Sequence, residues 1–398
     1  MYLSRFKVKN YKCLGEIDVP LTPIHILIGE NDAGKTSLLE VMAAFYASGT
    51  GPLESAFPGP CTGRELVFHG SYDPRVELSA EWTASDGEEL PTSHPRVGYG
   101  FSADFSLGGS KCAFRERWVG YTEIPGGYYS ERALLGRSKT DPSLEDLVAK
   151  DVWGKLIFET VKPAYKYSLD AKAMAIPAAI DPARKFRLDP DGFGLPTLVS
   201  DISDSDPHQY IQLREDFCSF FPQFKTVRVE SENAVERKYQ ASGEYTSSSG
   251  VGKGIYFEMQ SGETVRAQQA SDGAILFLGF LALAYLPDPP NLLLIEEPEN
   301  GIYPKRLAEV ITLLKQLVNR TEGVRFPQII MSTHSPYVLS HFEPEEVTFL
   351  RRPADDPQGP VSAWPLRDAP NIQERLGKEF YLGELWFNLS EEELFGDA

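Results

Sequence analysis

Apolar runs that stop abruptly at glycine or at charge, each followed by apolar residues at helical spacing, set the rhythm of this chain. "YLSRFKVK" (2–9) alternates as a half-buried strand does, and "IHILIG" (24–29) is a short apolar strand running straight into glycine. "KTSLLEVMAAFYAS" (35–48) then predicts a helix, and "RVELSAEW" (75–82) another strand. From about 86 to 225 the pattern changes. "GYGFSADFSLGG" and "KCAFRERWVGYTEI" suggest short antiparallel strands, and 143–161 a helix opened by a Ser cap. The stretch 181–207, rich in Asp, Pro and Gly, reads as loop, and "PHQYIQLREDFCSFFPQF" as an amphipathic helix ended by proline.

Strands return with "TVRVESE" and "GIYFEMQ", separated by a Ser/Gly segment, "SGEYTSSSGVGKG", that reads as a mobile loop. The rest predicts a helix (272–286), a buried strand (291–296), a helix (304–319), a buried strand (327–335) and a short tail. Fully apolar strands separated by helices imply an α/β fold with a parallel sheet covered on both faces.

Composition narrows the class. The 398 residues are 42% hydrophobic and 12% aromatic, enough for a sizeable core. A formal charge of -18 argues against a broad nucleic-acid-binding face, which needs clustered Lys and Arg. Cys13, Cys61, Cys112 and Cys218 lie far apart without a CxxC pair, as reduced thiols of a cytoplasmic protein do. The N-terminus lacks the apolar run of a signal peptide, and the uncharged stretch 273–287 is too short to span a bilayer comfortably. The expectation is a cytoplasmic protein with no membrane segment.

Candidate chemistry begins at "GENDAGKT" (29–36), which fits G-x-x-x-x-G-K-[ST] between a predicted strand and helix. Gly29 and Gly34 let the loop wrap a phosphate, while the backbone of Glu30, Asn31, Asp32, Ala33 and Ser37 and the helix N-terminus face the anion. Lys35 would pair with β/γ-phosphates and Thr36 would ligate Mg²⁺. In "LLLIEEPENGIYP" (292–304), two glutamates follow a buried strand. They are a metal site, an acid/base pair, or the first polar residues beyond a strand. Beside a P-loop, Glu296 suits the Mg²⁺ role, through water, and Glu297 suits polarising the attacking water. "STHSP" (332–336) ends the next apolar strand and brings Ser332, Thr333 and His334 to the same sheet edge, with His334 as a phosphate sensor. Ser271, Asp272 and Gly273 open a hydrophobic helix, which is either an ordinary N-cap or a second phosphate contact.

The order "GENDAGKT", "QASDG", "LLLIEEPENGIYP", "STHSP" resembles the ABC-type AAA ATPases of the RecF/OLD/SMC-like group. "EEPENGIYP" looks like the EEPExxxHP form of OLD-family and related phage-defence ATPases. "FKVKNYKCLGEIDVPL" and "YLGELWFNLSEEELFGDA" resemble that group's opening strand pair and C-terminal ending. The resemblance implies a P-loop fold of ABC-ATPase type, a mixed sheet with helices on both faces, interrupted by an inserted α+β arm or lid. The head would comprise residues 1–85 and 226–398, the insertion 86–225.

It implies a Mg²⁺-dependent ATPase that binds ATP between two subunits of a homodimer or higher oligomer. Lys35, Glu297 and His334 would act on the triphosphate. Ser271, Asp272 and Gly273 would form the signature contributed in trans, and Glu299 and Asn300 the D-loop. There are departures: Glu296 stands where most cassettes have Asp, Tyr303 where the group has His, and no Gln precedes Gln209 to serve as a Q-loop. His69 either replaces that Gln or is a surface loop residue.

Only 64 residues follow His334, too few for the TOPRIM nuclease domain of OLD proteins. The acidic "SDISDSDP" (200–207) sits in a predicted loop, without strands to fix metal ligands. The leading expectation is therefore an ATPase whose dimer regulates a separately encoded effector, a nuclease, in anti-phage defence. Alternatives are a RecF-like repair ATPase that binds DNA itself and, more remotely, a transporter ATPase. In the insertion, Arg115, Arg117, Trp118 and Tyr128 read as strand surface rather than partner contacts.

Overall fold

The structure is a computed structural model. It describes residues 1–50, 53–57, 64–83, 96–105, 113–122, 133–136, 157, 159–161, 164–182, 185–239, 245–299, 304–319, 327–353, 356, 358–369 and 382–388. The expected helix over 143–161 falls almost wholly outside these residues, as do Tyr128, Asn300 and Tyr303.

The first half of the chain supplies strands β1 (Tyr2–Tyr11), β2 (Leu14–Pro20), β3 (Ile24–Ile28), β4 (Arg75–Thr83), β5 (Arg96–Asp104), β6 (Ala113–Thr122), β7 (Ala133–Gly136) and β8 (Tyr165–Tyr167). The second half supplies β9 (Ala178–Ala179), β10 (Phe224–Tyr239), β11 (Tyr245–Met259), β12 (Thr264–Arg266), β13 (Leu292–Glu296), β14 (Gln328–Thr333), β15 (Val347–Arg351) and β16 (Ser362–Pro365). They belong to two compact units. One comprises Met1–Lys166, Asn291–Glu296 and Gln328–Ala398; the other comprises Tyr167–Pro290 and Glu297–Pro327.

The first unit holds two sheets. One is antiparallel, ordered β2-β1-β4-β5-β6-β7, and the other is mixed, ordered β16-β15-β3-β14-β13-β8. In the mixed sheet β13, β14, β3 and β15 are parallel neighbours, and β16 closes one edge antiparallel. All five residues of β3 and all six of β14 are buried, the two-sided burial that continuous apolar runs require. The Lys35–Thr50 helix brings Phe45 onto the antiparallel sheet, stacked on Phe101 (5.5 Å, 7°) and edge-on to Phe6 (5.4 Å). Trp82 and Tyr46 join this core, with the indole N–H donating to the Tyr46 hydroxyl at 3.1 Å. Burial raises the Tyr46 pKa, so the phenol stays protonated.

Gln328, 5% exposed, opens β14 and ties the two sheets together. Its amide oxygen accepts from Leu3 N (2.9 Å), and its amide nitrogen donates to Leu3 O (2.8 Å) and Thr22 O (2.9 Å). His25, in the middle of the mixed sheet, lies between the hydroxyls of Thr22 (3.1 Å) and Thr348 (3.0 Å).

The second unit is built on the β10–β11 hairpin, in register from Phe224↔Met259 to Tyr239↔Tyr245. Phe217 stacks on Phe257 (5.5 Å), covering the hairpin with the Pro207–Phe220 helix. Arg237 lies between the rings of Phe193 (4.0 Å) and Tyr245 (4.4 Å), while its guanidinium donates to Asp191 at 2.6 Å.

Three expectations need correction. The 181–207 stretch contains a helix, Leu195–Ser205, which starts after the left-handed Gly194 and buries Leu198, Val199 and Ile202. The Ser/Gly segment expected to be a mobile loop is strand from Tyr245 onward, because backbone pairing with β10 replaces the missing apolar side chains. β5 and β6 continue the sheet begun by β1 and β4, through pairs such as Leu78↔Phe101 and Tyr99↔Val119. The compact units change at 166/167, 290/291, 296/297 and 327/328. The expected surface position Trp118 is 9% exposed and Arg117 4% exposed.

Two outcomes follow. Phe45→Ala removes a ring that meets Phe6, Tyr46, Trp82, Tyr99 and Phe101, and should destabilise the first unit by about 3–5 kcal/mol in chemical denaturation. Burial, and secondarily the Arg367 charge, lower the His25 pKa from 6.5 to about 3. Between those values the unfolded chain binds a proton that the folded chain does not, so this contribution is complete above pH 6.5 and is lost as pH falls toward 3. His25→Gln should flatten the stability profile between pH 6 and about 4, by up to about 1.4 kcal/mol per pH unit, in matched denaturation series.

Candidate nucleotide site

The site starts where β3 ends. Gly29 is required by close approach: a Cβ there would lie 2.3 Å from the Leu350 carbonyl oxygen on β15. Gly34 is left-handed (φ 84°), and a Cβ on it would meet Cys13 Sγ at 2.9 Å. Asp32 is also left-handed (φ 63°), and its carbonyl accepts from Arg352 Nη2 at 3.1 Å. Glu30, Asn31 and Asp32 are exposed at the loop's outer side, whereas Ala33, Gly34 and Lys35 are buried. The following 16-residue helix has no acidic residue in its first turn, so the positive end of its dipole is left for an external anion. Ser37, half-buried in that turn, accepts from the Cys13 thiol at 3.7 Å.

Lys35 is buried (6% exposed) yet stays inside the loop, donating to Gly29 O (2.8 Å) and Glu30 O (2.7 Å). Its Nζ also lies 3.4 Å from Nδ1 of His334. His334 directly follows β14, and Ser335 N donates to Thr333 Oγ1 at 2.9 Å to turn the chain there. On the neighbouring strand, Glu296 is paired with Ser332 in register. Its carboxylate accepts a hydrogen bond from the Thr36 hydroxyl through Oε1. Residues from three sequence regions thus meet at one sheet edge.

The donor set suits a small hard cation: a hydroxyl and a carboxylate in mutual contact, both oxygen ligands, beside an anion-binding helix end. Among the described residues no group of three or more His, Cys, Asp or Glu side chains forms an all-protein metal cage. A Mg²⁺ held by one or two protein oxygens plus phosphate would need no such cage.

Other expected site residues lie in the second unit. Ser271 caps the Asp272–Ala284 helix, its Oγ accepting from Ala274 N at 3.4 Å, with Asp272 in the first turn. A Cβ on Gly273 would press on Val310 Cγ2 at 3.3 Å, so the helix start is seated tightly against the Pro304–Val318 helix. Glu297 is left-handed (φ 46°), and both Glu297 and Glu299 are half-buried. Asn300 lies outside the described residues, and His69 is exposed on a turn.

Two further contributors carry no sequence signal. Lys166 places Nζ 3.0 Å from Oε2 of Glu296 and 3.8 Å from Oε1 of Glu40, which Lys12 also meets at 2.5 Å. Arg352 supports the loop from behind through Asp32. Neither belongs to a spaced motif, and folding alone brings them here.

Comparison with known proteins agrees with this geometry. Residues 162–340 match the family model described as "AAA domain, putative AbiEii toxin, Type IV TA system", and residues 1–61 match an "AAA ATPase domain" model. A 40-residue stretch is 48% identical to an OLD nuclease of Thermus scotoductus, covering 10% of this chain and 8% of that protein's length. An SMC head bound to the C-winged helix domain of ScpA has a similar fold, with a TM-score of 0.54 at 13% identity over 92% of this chain and 97% of that one. So does an SMC head with an extended coiled coil, bound to the C-terminal domain of ScpA derived from Pyrococcus furiosus (TM-score 0.50, 12% identity, 94% and 98% covered). Among the described residues no helix is long and apolar enough to cross a membrane. The phosphate loop and the converging strand ends agree with the two AAA-domain matches over residues 1–61 and 162–340, in a chain with the fold of the SMC heads.

Proposed function

We propose that the chain binds and hydrolyses ATP with Mg²⁺, and that its nucleotide-dependent dimerisation controls a separately encoded effector, a nuclease, in anti-phage defence. The observation that carries the catalytic part is the convergence of Lys35, Thr36, Glu296 and His334 at one edge of the mixed sheet. In this reading the backbone N–H groups of residues 29–37 and the helix N-terminus hold the β- and γ-phosphates. Lys35 exchanges its loop carbonyls for phosphate oxygens, and His334, next to Lys35, orients on the terminal phosphate. Thr36 and Glu296 are the Mg²⁺ ligands, Glu296 through water. The ion, when bound, neutralises charge on the phosphate oxygens.

Glu297 accepts the proton of the attacking water, which ends up on its carboxylate as the γ-phosphate bond breaks. Ser271, Asp272 and Gly273 of a second copy, with Glu299 and Asn300, complete the site across the dimer. ATP bound by both copies joins them, and hydrolysis releases them.

Support for a partner protein is indirect: the similar SMC heads are bound to ScpA domains, and the matched OLD protein is itself a nuclease. A cytoplasmic location belongs to the same reading. Direct DNA binding in the manner of RecF is the second reading, weakened by the charge of -18.

Lys35→Ala should lower ATP affinity by at least about 100-fold in isothermal titration, and wild-type affinity in that variant would refute the P-loop assignment. Glu297→Gln should keep ATP binding, slow turnover by about 10²–10⁴-fold and accumulate an ATP-bound dimer in sedimentation analysis. Normal turnover would place the base elsewhere. A gel shift that tightens steeply as salt is lowered would favour the DNA reading over effector control.

A further inference from the structure

We infer that Lys166 is a built-in counter-cation of the Glu296 carboxylate, a positioning residue that keeps free divalent metal off the site until nucleotide brings it. The inference rests on the nucleotide-site reading and concerns a residue that no motif in the chain marks.

Both oxygens of Glu296 are engaged. Oε1 accepts from the Thr36 hydroxyl, and Oε2 faces the Lys166 ammonium at 3.0 Å. The same ammonium also meets a second carboxylate, Glu40 Oε1, at 3.8 Å. Glu40 is in turn paired with Lys12 at 2.5 Å. The row Lys12–Glu40–Lys166–Glu296 therefore alternates in sign, ending on the carboxylate that touches Thr36.

The side chains of Lys166, Glu40 and Glu296 are 20–24% exposed, so the pair is partly screened and exchanges readily with solvent cations. A site with Thr36 and one carboxylate would attract divalent metal on its own. Lys166 supplies the positive charge already, and a dication arriving without phosphate must sit close to an ammonium. Their repulsion at solvent-like dielectric amounts to about five- to tenfold in affinity. Triphosphate oxygens offset that repulsion, so a metal–nucleotide complex is admitted where the bare ion is not. Lys166 also holds the carboxylate from the side away from Thr36, so the rotamer facing the threonine is maintained.

The test is Mn²⁺ binding by the full chain, read from the EPR signal of free Mn²⁺ without nucleotide and again with ATP. Lys166→Met should bind bare Mn²⁺ about five- to tenfold more tightly than wild type, while Lys166→Arg should restore the wild-type value. Lys166→Gln, which retains polarity without charge, provides the same reading if the methionine variant folds poorly. Unchanged or weaker Mn²⁺ binding in the neutral variants would overturn the inference. Failure of the wild-type chain to take up Mn²⁺ with ATP at all would instead overturn the nucleotide-site reading, so the two failures are distinguishable.

Discussion

Parallel pairing in register of β13, β14 and β3 is the constraint on which the candidate site depends. Glu296 is opposite Ser332, and Thr333 is opposite Ile28, so three strands reach the same edge of the sheet within one residue of each other. Apart from His25 their interiors are apolar and closed on both faces, so the polar groups that can meet a ligand sit at the strand ends. The first residues past those ends therefore meet whatever their distance along the chain. Thr36 reaches Glu296 across 260 positions, and Lys35 reaches His334 across 299.

The phosphate loop has a second dependence, on β15. The Leu350 carbonyl occupies the space where a side chain at position 29 would go, and Arg352 holds the Asp32 carbonyl. β15 pairs directly with β3 through Val347↔Ile26 and Phe349↔Ile28. The loop's unusual backbone is thus set by its own glycines from within and by a late strand from behind. This division explains why the motif reads clearly in sequence while its support does not.

The apolar runs at 24–28, 292–295 and 328–331 were legible because full burial on two faces leaves an unmistakable composition. The glutamates and His334 could be placed from them, since a charge immediately after such a run must lie at the strand end. Lys166 and Arg352 were not legible, because a single cation in a three-residue strand or just past a strand end has no period and its partner lies in another part of the fold. The Ser/Gly strand at 245–250 was misread for the opposite reason. Its side chains carry almost no signal, and its order comes from the ladder with β10. The helix at 195–205 was hidden by the Asp, Pro and Gly around it, although Pro196 near its start is a position where proline is tolerated. The continuity of β4 into β5 and β6 was missed because alternation identifies strands without naming their neighbours.

Gln328 has a consequence of another kind. Its primary amide presents one acceptor oxygen and two donor hydrogens, and it satisfies main-chain groups of Leu3 and Thr22 from the start of β14. Glutamate would lose the donors, leucine would strand three main-chain groups away from water, and asparagine is one methylene short. The position therefore accepts a single side chain as strictly as Gly29 does, although it touches no substrate. Invariance at such a residue would mark a seam in the architecture rather than a step in the reaction.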